Sequence, residues 1–204
     1  MLELITELQA IAQSALTYCT NDFDIARYKR ILEISAELLA SNSTHQYEDI
    51  FELFTKETGY ATPKIDVRGA VFKENKILLV QEKMDQCWTM PGGFADVNLS
   101  PAENVIKELK EESGFDCRII KLIGILDKRK TIPDNKKWPH LYKIFFLCEI
   151  NSLEQSICDQ KEILNVDFFD MNKLPTLSQG RSTVEQINLC FNHYKNHALP
   201  AVFE

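Results

Sequence analysis

Residues 93–115 read GFADVNLSPAENVIKELKEESGF, and this stretch carries the clearest structural signals in the chain. Ser100, Pro101 and Glu103 form a typical helix start, with a capping hydroxyl, a proline in the first turn and a glutamate that can close a capping box. Gly114 can end the helix, because glycine readily adopts the left-handed conformation found at helix ends. The pattern therefore predicts one helix between the capping serine and this glycine.

Three glutamates, Glu108, Glu111 and Glu112, lie on one face of the predicted helix, because residues three and four positions apart are neighbours. Their like charges repel one another, and a bound divalent cation would remove that repulsion. Mg²⁺ takes oxygen ligands, and a Gly-Gly loop ahead of the helix lets a backbone carbonyl approach the same ion. The alternative is a solvated helix face on which Lys107 and Lys110 pair with the glutamates.

The stretch resembles the Nudix box, G-x5-E-x7-R-E-U-x-E-E-x-G-U, in which U is a bulky apolar residue. Gly93 takes the place of the first glycine, and the second half of the box matches at the correct offsets through Glu108, Leu109, Glu111, Glu112, Gly114 and Phe115. The preceding WTMPGG segment also resembles the usual entry into the box. The resemblance covers essentially the full length, and it is to a subgroup with a helical N-terminal domain whose members act on ADP-ribose or CDP-choline.

Two positions depart from the box. Leu99 stands where the family has its first glutamate, and Lys107 stands where the family has arginine. In the family these two side chains help to orient the catalytic helix. Lysine is a weaker partner for a carboxylate than arginine, because it lacks the planar group that donates two parallel hydrogen bonds. Asp96 and Glu103 are the candidates to replace the missing carboxylate. The departures put the rate and the substrate fit in question, and they keep open a catalytically weak protein that binds or senses nucleotides.

The resemblance implies an α+β fold, a Nudix α/β/α sandwich with a mixed β-sheet, preceded by a small all-α N-terminal domain. Apolar residues at helical spacing support helices in residues 1–60, and alternating patterns support strands in residues 61–204, the expected Nudix hydrolase domain. Three short helices bury little surface alone. We therefore expect the N-terminal domain to form a homodimer contact or a lid over the substrate.

By the same resemblance, Glu108, Glu111 and Glu112 are catalytic and hold one or more Mg²⁺ ions together with the carbonyl of Gly92, with Mn²⁺ as an alternative ion. The metal neutralises the diphosphate and activates water for attack at phosphorus. Glu162 precedes a strand expected at residues 166–170 and is a candidate general base or extra ligand. The alternative is an exposed loop glutamate.

The candidates for substrate binding are Arg68, Asp96, Lys130 and His140. Arg68 is expected to touch a substrate phosphate or to shape the pocket, and the alternative is a structural ion pair. Lys130, Trp138 and His140 belong to residues 128–140, expected to be a basic loop. Cations mixed with an aromatic ring can grip phosphate and stack on a base, whereas a solvated loop would do neither.

The net charge of −7 disfavours broad binding to nucleic acid or to an anionic membrane. The six cysteines include no CxxC pair, which favours reduced thiols. No apolar run has the length of a membrane span and the start lacks a cationic signal region, so we expect a cytoplasmic location and no membrane partner.

The expected reaction is Mg²⁺-dependent hydrolysis of a small nucleoside-diphosphate derivative such as ADP-ribose or CDP-choline, releasing a nucleoside monophosphate. An RNA 3′-end exonuclease is an alternative that the charge does not favour.

Overall fold

The computed structural model describes residues 1–43, 46–131, 139–152, 154–156, 158 and 161–204. The chain divides into two compact units, Met1–Thr62 and Pro63–Glu204. Within the described ranges, no helix is long and apolar enough to cross a membrane. All six cysteines lie in those ranges, and none of them forms a disulfide there.

The N-terminal unit consists of three helices, α1 (Leu2–Tyr18), α2 (Asp22–Ser41) and α3 (Tyr47–Lys56). Asn21 caps α2, because its side-chain oxygen accepts two backbone amides of the first turn. The buried apolar residues of the unit recur at helical spacing: Ile5, Ala12, Leu32, Ala36, Leu39, Ile50 and Phe54. The unit is therefore an all-α bundle, as the apolar spacing predicts.

The C-terminal unit is built on a seven-stranded sheet. Its strands are β1 (Lys64–Lys73), β2 (Lys76–Glu82), β3 (Trp88–Thr89), β4 (Asp116–Asp127), β5 (Leu141–Ser152), β6 (Ile163–Asp170) and β7 (Val202–Phe203). The order is β3-β2-β1-β5-β4-β7, with β6 paired to β2. Because β1 pairs with β5 in parallel and with β2 in antiparallel orientation, the sheet is mixed.

Three helical segments accompany the sheet. Helix α4 (Pro101–Glu108) continues into a π-helical turn at Leu109–Ser113, and α6 (Val184–Lys195) lies near the C-terminus. The basic stretch that begins at Lys128 was expected to be a loop, but its first four residues form the short helix α5 (Lys128–Thr131). The prediction of a loop is therefore wrong for these four residues.

Helices cover both faces of the sheet. On one face, Val67 of β1 packs with Val105 of α4 and Leu109 of the π turn. On the other face, Ala70 of β1 belongs to the cluster that contains Ile187 of α6. Side chains of one strand point alternately to opposite faces, so β1 contributes to both cores. This arrangement confirms the α/β/α sandwich.

Candidate active site

The Pro-Gly-Gly turn before α4 lies against β1. The carbonyl of Gly93 accepts the amide of Val67 at 2.8 Å, and the carbonyl of Pro91 accepts the amide of Gly69 at 2.9 Å. Gly92 has a φ of +136°, and a Cβ atom there would lie 2.0 Å from the carbonyl oxygen of Val67. Only glycine fits so close to the strand, and this residue therefore fixes the path of the turn.

Helix α4 begins with the capping box that the sequence predicts. The hydroxyl of Ser100 accepts the amide of Glu103 at 3.2 Å, and the carboxylate of Glu103 accepts the amide of Ser100 at 2.8 Å. The π turn ends at Gly114, which has a φ of +74°. π-helical turns are rare in proteins as a whole, but many of those that occur lie at functional sites. Because a π turn is wider than an α-helical one, the three glutamates do not share one regular helix face.

A buried asparagine fixes the loop that connects the turn to the helix, and nothing in the sequence pattern singled it out. Asn104 is fully buried in α4. Its Oδ1 atom accepts the amide of Asp96 at 2.8 Å. Its Nδ2 atom donates to the carbonyls of Asp96, Leu99 and Ser100 at 3.2–3.3 Å. The side chain thereby replaces water for the backbone groups of this loop.

Two of the box glutamates lie against the turn. Glu112 accepts the amide of Gly92 at 2.7 Å, and burial raises the pKa of Glu112 to about 8. Glu108 is half-buried, and a Cβ atom on Gly93 would lie 3.4 Å from its Oε2 atom. Burial also raises the pKa of Glu108. Burial disfavours the charged form of both carboxylates, and a hard divalent cation would offset that effect.

The third glutamate, Glu111, has a different environment. Its side chain is half-exposed, and its Oε2 atom lies 3.2 Å from Nζ of Lys107. In the part of the chain that the structure describes, no three His, Cys, Asp or Glu side chains lie close enough together to hold a metal ion. The donor chemistry of Glu108 and Glu112 fits a divalent cation, whereas Glu111 is held by the lysine.

The lysine at the arginine position of the box also pairs with a carboxylate outside the box pattern. Nζ of Lys107 lies 2.9 Å from Oδ2 of Asp96. Hydrogen bonds from Asp96 first, and then from Glu111, raise the pKa of Lys107. Of the two carboxylates that the sequence offered as replacements, Asp96 makes the contact with Lys107, and Glu103 is engaged at the helix start.

Arg68 forms a buried ion pair with Asp66. Its Nε and Nη2 atoms donate to the two carboxylate oxygens of Asp66, each at 2.8 Å, and Nη1 donates to the carbonyl of Met90 at 3.0 Å. The arginine is only 3% exposed. Burial would raise the pKa of Asp66, but the charges of Arg68 and Lys143 hold that pKa below its ordinary value. These contacts match the ion-pair alternative rather than direct contact with a substrate phosphate.

Two buried lysines flank this ion pair: Lys128, from the stretch expected to be a basic loop, and Lys143, which the sequence reasoning missed as a site residue. Lys143 of β5 is fully buried and donates from Nζ to the carbonyl of Arg181. Burial lowers the pKa of Lys143 to about 7 and that of Lys128, in α5, to about 8. The charge of Asp66 opposes the shift at both lysines. Arg68, Lys128 and Lys143 therefore lie around the carboxylate of Asp66.

A second ion pair lies at the end of β2. Nη1 of Arg181 lies 2.5 Å from Oε2 of Glu82, whose pairing with β6 is interrupted by an irregularity at this residue. Burial raises the pKa of Glu82, and Asp85 and Glu162 raise it further. Glu162 itself is exposed, and its carbonyl accepts the amide of Lys83 at 2.9 Å. Glu162 therefore lies near Glu82. No sequence motif had indicated Glu82 as a site residue.

The two remaining substrate-binding candidates have local contacts. Lys130 is exposed on α5 and lines a cavity of about 520 Å³ next to Gln186 of α6. Nε2 of His140 lies 3.4 Å from Oδ2 of Asp127, and its ring packs edge-on against Tyr142. Burial lowers the pKa of His140, and the charge of Arg129 lowers it further. Trp138, the aromatic residue of the predicted basic loop, lies outside the described residues.

Comparison with known proteins assigns both units to one family. A family model described as the NUDIX domain matches residues 62–187, and one described as a UDP-X-like, N-terminal oligomerisation domain matches residues 1–54. A Bacillus subtilis protein, provisionally named an ADP-ribose pyrophosphatase, is 40% identical over 203 residues, which cover 100% of this chain and 96% of that protein.

Two solved structures extend the comparison. The crystal structure of an ADP-ribose pyrophosphatase from Streptococcus suis is 39% identical with a TM-score of 0.63, and the match covers 70% of this chain and 100% of that one. The crystal structure of a UDP-X diphosphatase is 31% identical with a TM-score of 0.63, and the match covers 98% of this chain and 96% of that one. The chain therefore belongs to the Nudix hydrolase family, with a helical N-terminal domain of the UDP-X-like type.

Proposed function

We propose that this Nudix hydrolase cleaves the diphosphate bond of nucleoside-diphosphate derivatives, ADP-ribose foremost, and releases a nucleoside monophosphate in a reaction that requires Mg²⁺ or Mn²⁺. The observation that carries the proposal is the pair Glu108 and Glu112 beside the Gly92–Gly93 turn, with the pKa of each carboxyl raised by burial. Carboxylates in such a site suit a hard cation that also binds phosphate oxygens.

In this proposal Glu108 and Glu112 hold the cation beside the Gly92–Gly93 turn, and Glu111 joins them when its carboxylate turns from Lys107 toward the cation. The carbonyl of Gly92 is a further protein ligand. The cation, when bound, neutralises charge on the diphosphate and makes a water molecule more acidic. The amide of Gly92 orients the Glu112 carboxylate through its hydrogen bond of 2.7 Å. Burial would lower the pKa of Arg68, but the charge of Asp66, and after it those of Glu112 and Glu82, raise it; the guanidinium therefore offsets negative charge near Glu112.

Glu162 is the proposed general base. Its support is its position: it is exposed to solvent, and its charge raises the pKa of Glu82 at the end of β2. A carboxylate exposed in this place can accept a proton from an attacking water. Lys130 and His140 are proposed substrate contacts. The support is that both belong to the segment beginning at α5, which is rich in cations.

The substrate class rests on the names of relatives. The Bacillus subtilis and Streptococcus suis proteins are named for ADP-ribose, and a third relative is named for UDP-X. CDP-choline is the other diphosphate that the sequence resemblance suggests. A panel of ADP-ribose, CDP-choline, UDP-sugars, diadenosine polyphosphates and nucleoside triphosphates, with product identification, tests the proposal. Release of nucleoside monophosphate from ADP-ribose would support it, and turnover of triphosphates alone would refute it.

A binding or sensing role is the second candidate, and one observation favours it. Glu111 is held by Lys107 in a box that lacks both the usual glutamate and the usual arginine. A sensor would bind ADP-ribose without cutting it at millimolar Mg²⁺. Calorimetric binding together with a complete lack of product would select this candidate over the hydrolase.

We further propose that the N-terminal unit forms a homodimer. Leu4, Leu8 and Ile11 recur at helical spacing on α1 and are 60%, 39% and 51% exposed. The family description of this segment as an oligomerisation domain gives independent support. Light scattering of the full chain should give a dimer, and Leu8→Lys with Ile11→Lys should give a monomer. A wild-type monomer at micromolar concentration would remove the proposal.

A further inference from the structure

Lys107 lies between two carboxylates on the outer side of the box helix. Its Nζ atom is 2.9 Å from Oδ2 of Asp96 and 3.2 Å from Oε2 of Glu111. One positive charge is shared by two negative ones, so the three side chains keep a net negative charge. This balance matters because Glu111 is a proposed ligand of the cation.

Without Asp96, the ammonium group would have Glu111 as its single carboxylate partner in this contact. A lysine paired with one carboxylate neutralises it and competes with a metal ion for its oxygens. Asp96 draws the ammonium group to one side and shares its charge. Glu111 is then neutralised only in part and keeps negative charge that attracts a cation.

Asp96 is in a fixed position although its carboxylate is largely exposed. Its backbone amide donates to Oδ1 of the buried Asn104 at 2.8 Å, and its carbonyl accepts from Nδ2 of the same residue at 3.3 Å. The loop is therefore anchored to α4 one turn before Lys107. Leu99, at the glutamate position of the box, is 38% exposed and has no carboxylate to offer. Lys107 pairs with Asp96 instead.

We propose that Asp96 is a positioning residue which, through Lys107, orients Glu111 for cation binding and takes over the part that the box glutamate has at position 99. The inference rests on the proposed function in one respect, namely that Glu111 is a ligand of the cation. It differs from the family pattern because the acid has moved to a loop position that Asn104 fixes.

Mn²⁺ binding to the full-length protein tests the inference without substrate. Free and bound Mn²⁺ are measured by electron paramagnetic resonance for the wild type, for Asp96→Asn and for Glu103→Gln. Asn at position 96 keeps the backbone bonds to Asn104 and removes only the charge. We expect Asp96→Asn to weaken Mn²⁺ binding by about 10-fold, the size of effect seen when residues behind metal ligands are changed. Glu103→Gln, a carboxylate change on the same helix, should leave Mn²⁺ affinity within about 2-fold of the wild type.

Reconstruction of the family pair supplies the decisive comparison. Adding Leu99→Glu and Lys107→Arg to Asp96→Asn restores a carboxylate and an arginine at the two box positions. Mn²⁺ affinity should return to within about 3-fold of the wild type. An Asp96→Asn protein with unchanged Mn²⁺ affinity, or a loss that the reconstructed pair does not restore, would overturn the inference.

Two further readouts separate this inference from a general loss of structure and from the proposed function. Because the ion pair is exposed, the melting temperature of Asp96→Asn should stay within about 3 °C of the wild type. If the wild type binds Mn²⁺ but cuts no diphosphate, the proposed function fails while the Mn²⁺ comparison still decides the role of Asp96. If the wild type cuts ADP-ribose and Asp96→Asn binds Mn²⁺ normally, the function stands and the inference falls.

Discussion

Gly92→Ala is the perturbation whose consequence follows most directly from the geometry. The new Cβ atom would lie 2.0 Å from the carbonyl oxygen of Val67, so the turn must move by about 1 Å to relieve the contact. The φ of +136° is itself open to glycine and strained for alanine, at a cost on the order of 1–3 kcal/mol.

Moving the turn also breaks hydrogen bonds. The amide of Val67 loses the carbonyl of Gly93, and Glu112 loses the amide of Gly92; such bonds contribute about 1 kcal/mol each. Together with the strain, we expect a loss of about 3–5 kcal/mol in the free energy of unfolding. Because a displacement of about 1 Å at a catalytic site can cost 100-fold in rate, kcat should fall by about two orders of magnitude.

Gly59→Ala is the matched control. Gly59 has a φ of +85°, but its added Cβ atom would meet nothing within 4 Å, so only the backbone cost of about 1 kcal/mol applies. Urea unfolding followed by far-ultraviolet circular dichroism reports on both substitutions, because each unit contains helices, α1 in the N-terminal unit and α6 in the C-terminal unit. A Gly92→Ala protein that matches Gly59→Ala in stability and keeps its wild-type kcat would refute the reasoning.

Three other predictions concern buried polar groups. The folded pKa of Glu112 is about 8, above the 4.5 of an unperturbed glutamate. This carboxyl therefore favours folding at low pH, and the benefit is lost as the pH rises through about 8. Urea titrations in a chelator should show that loss in the wild type but not in Glu112→Gln, and added Mg²⁺ should reverse it; equal pH profiles would contradict the shift. Asn104→Ala removes the bonds that fix the 96–100 loop and should cost about 2–3 kcal/mol by the same titration, whereas a loss within error would show that water replaces the side chain. The folded pKa of Lys143 is lowered to about 7, so stability should rise with pH between about 7 and 10.5, and Lys143→Met should flatten that rise in melting temperature; a slope equal to the wild type would argue against it.

The box helix illustrates how much the sequence predicts. The capping box at Ser100 and Glu103, the end at Gly114 and the position of Glu112 beside the Gly-Gly turn follow from local chemistry and the family resemblance. The π turn does not, because residue types specify a helix end more clearly than they specify the width of its last turn. The ion pair between Lys107 and Glu111, in contrast, matches the alternative in which a lysine of the helix pairs with a glutamate four residues on.

The buried cations were beyond sequence reasoning for a different reason. Lys143 alternates with apolar residues, a pattern typical of a strand with one exposed face. In the fold, β5 lies between β1 and β4, and Asp66 stands directly opposite Lys143 in the register. Charge partners that meet through strand pairing leave no local signal. Arg181, which lies in a turn, and Glu82 of β2 are likewise far apart in sequence and meet only in the fold.

We propose that the site around Glu108 and Glu112 cleaves a diphosphate only when a metal ion is bound. Phosphorus NMR of wild-type protein with ADP-ribose, recorded before and after addition of Mg²⁺, tests it most directly. We expect no product in chelator, AMP and ribose 5-phosphate after Mg²⁺ is added, and a rate at least about 100-fold lower for Glu112→Gln. An intact ADP-ribose spectrum at millimolar Mg²⁺, or equal rates for the wild type and Glu112→Gln, would contradict it.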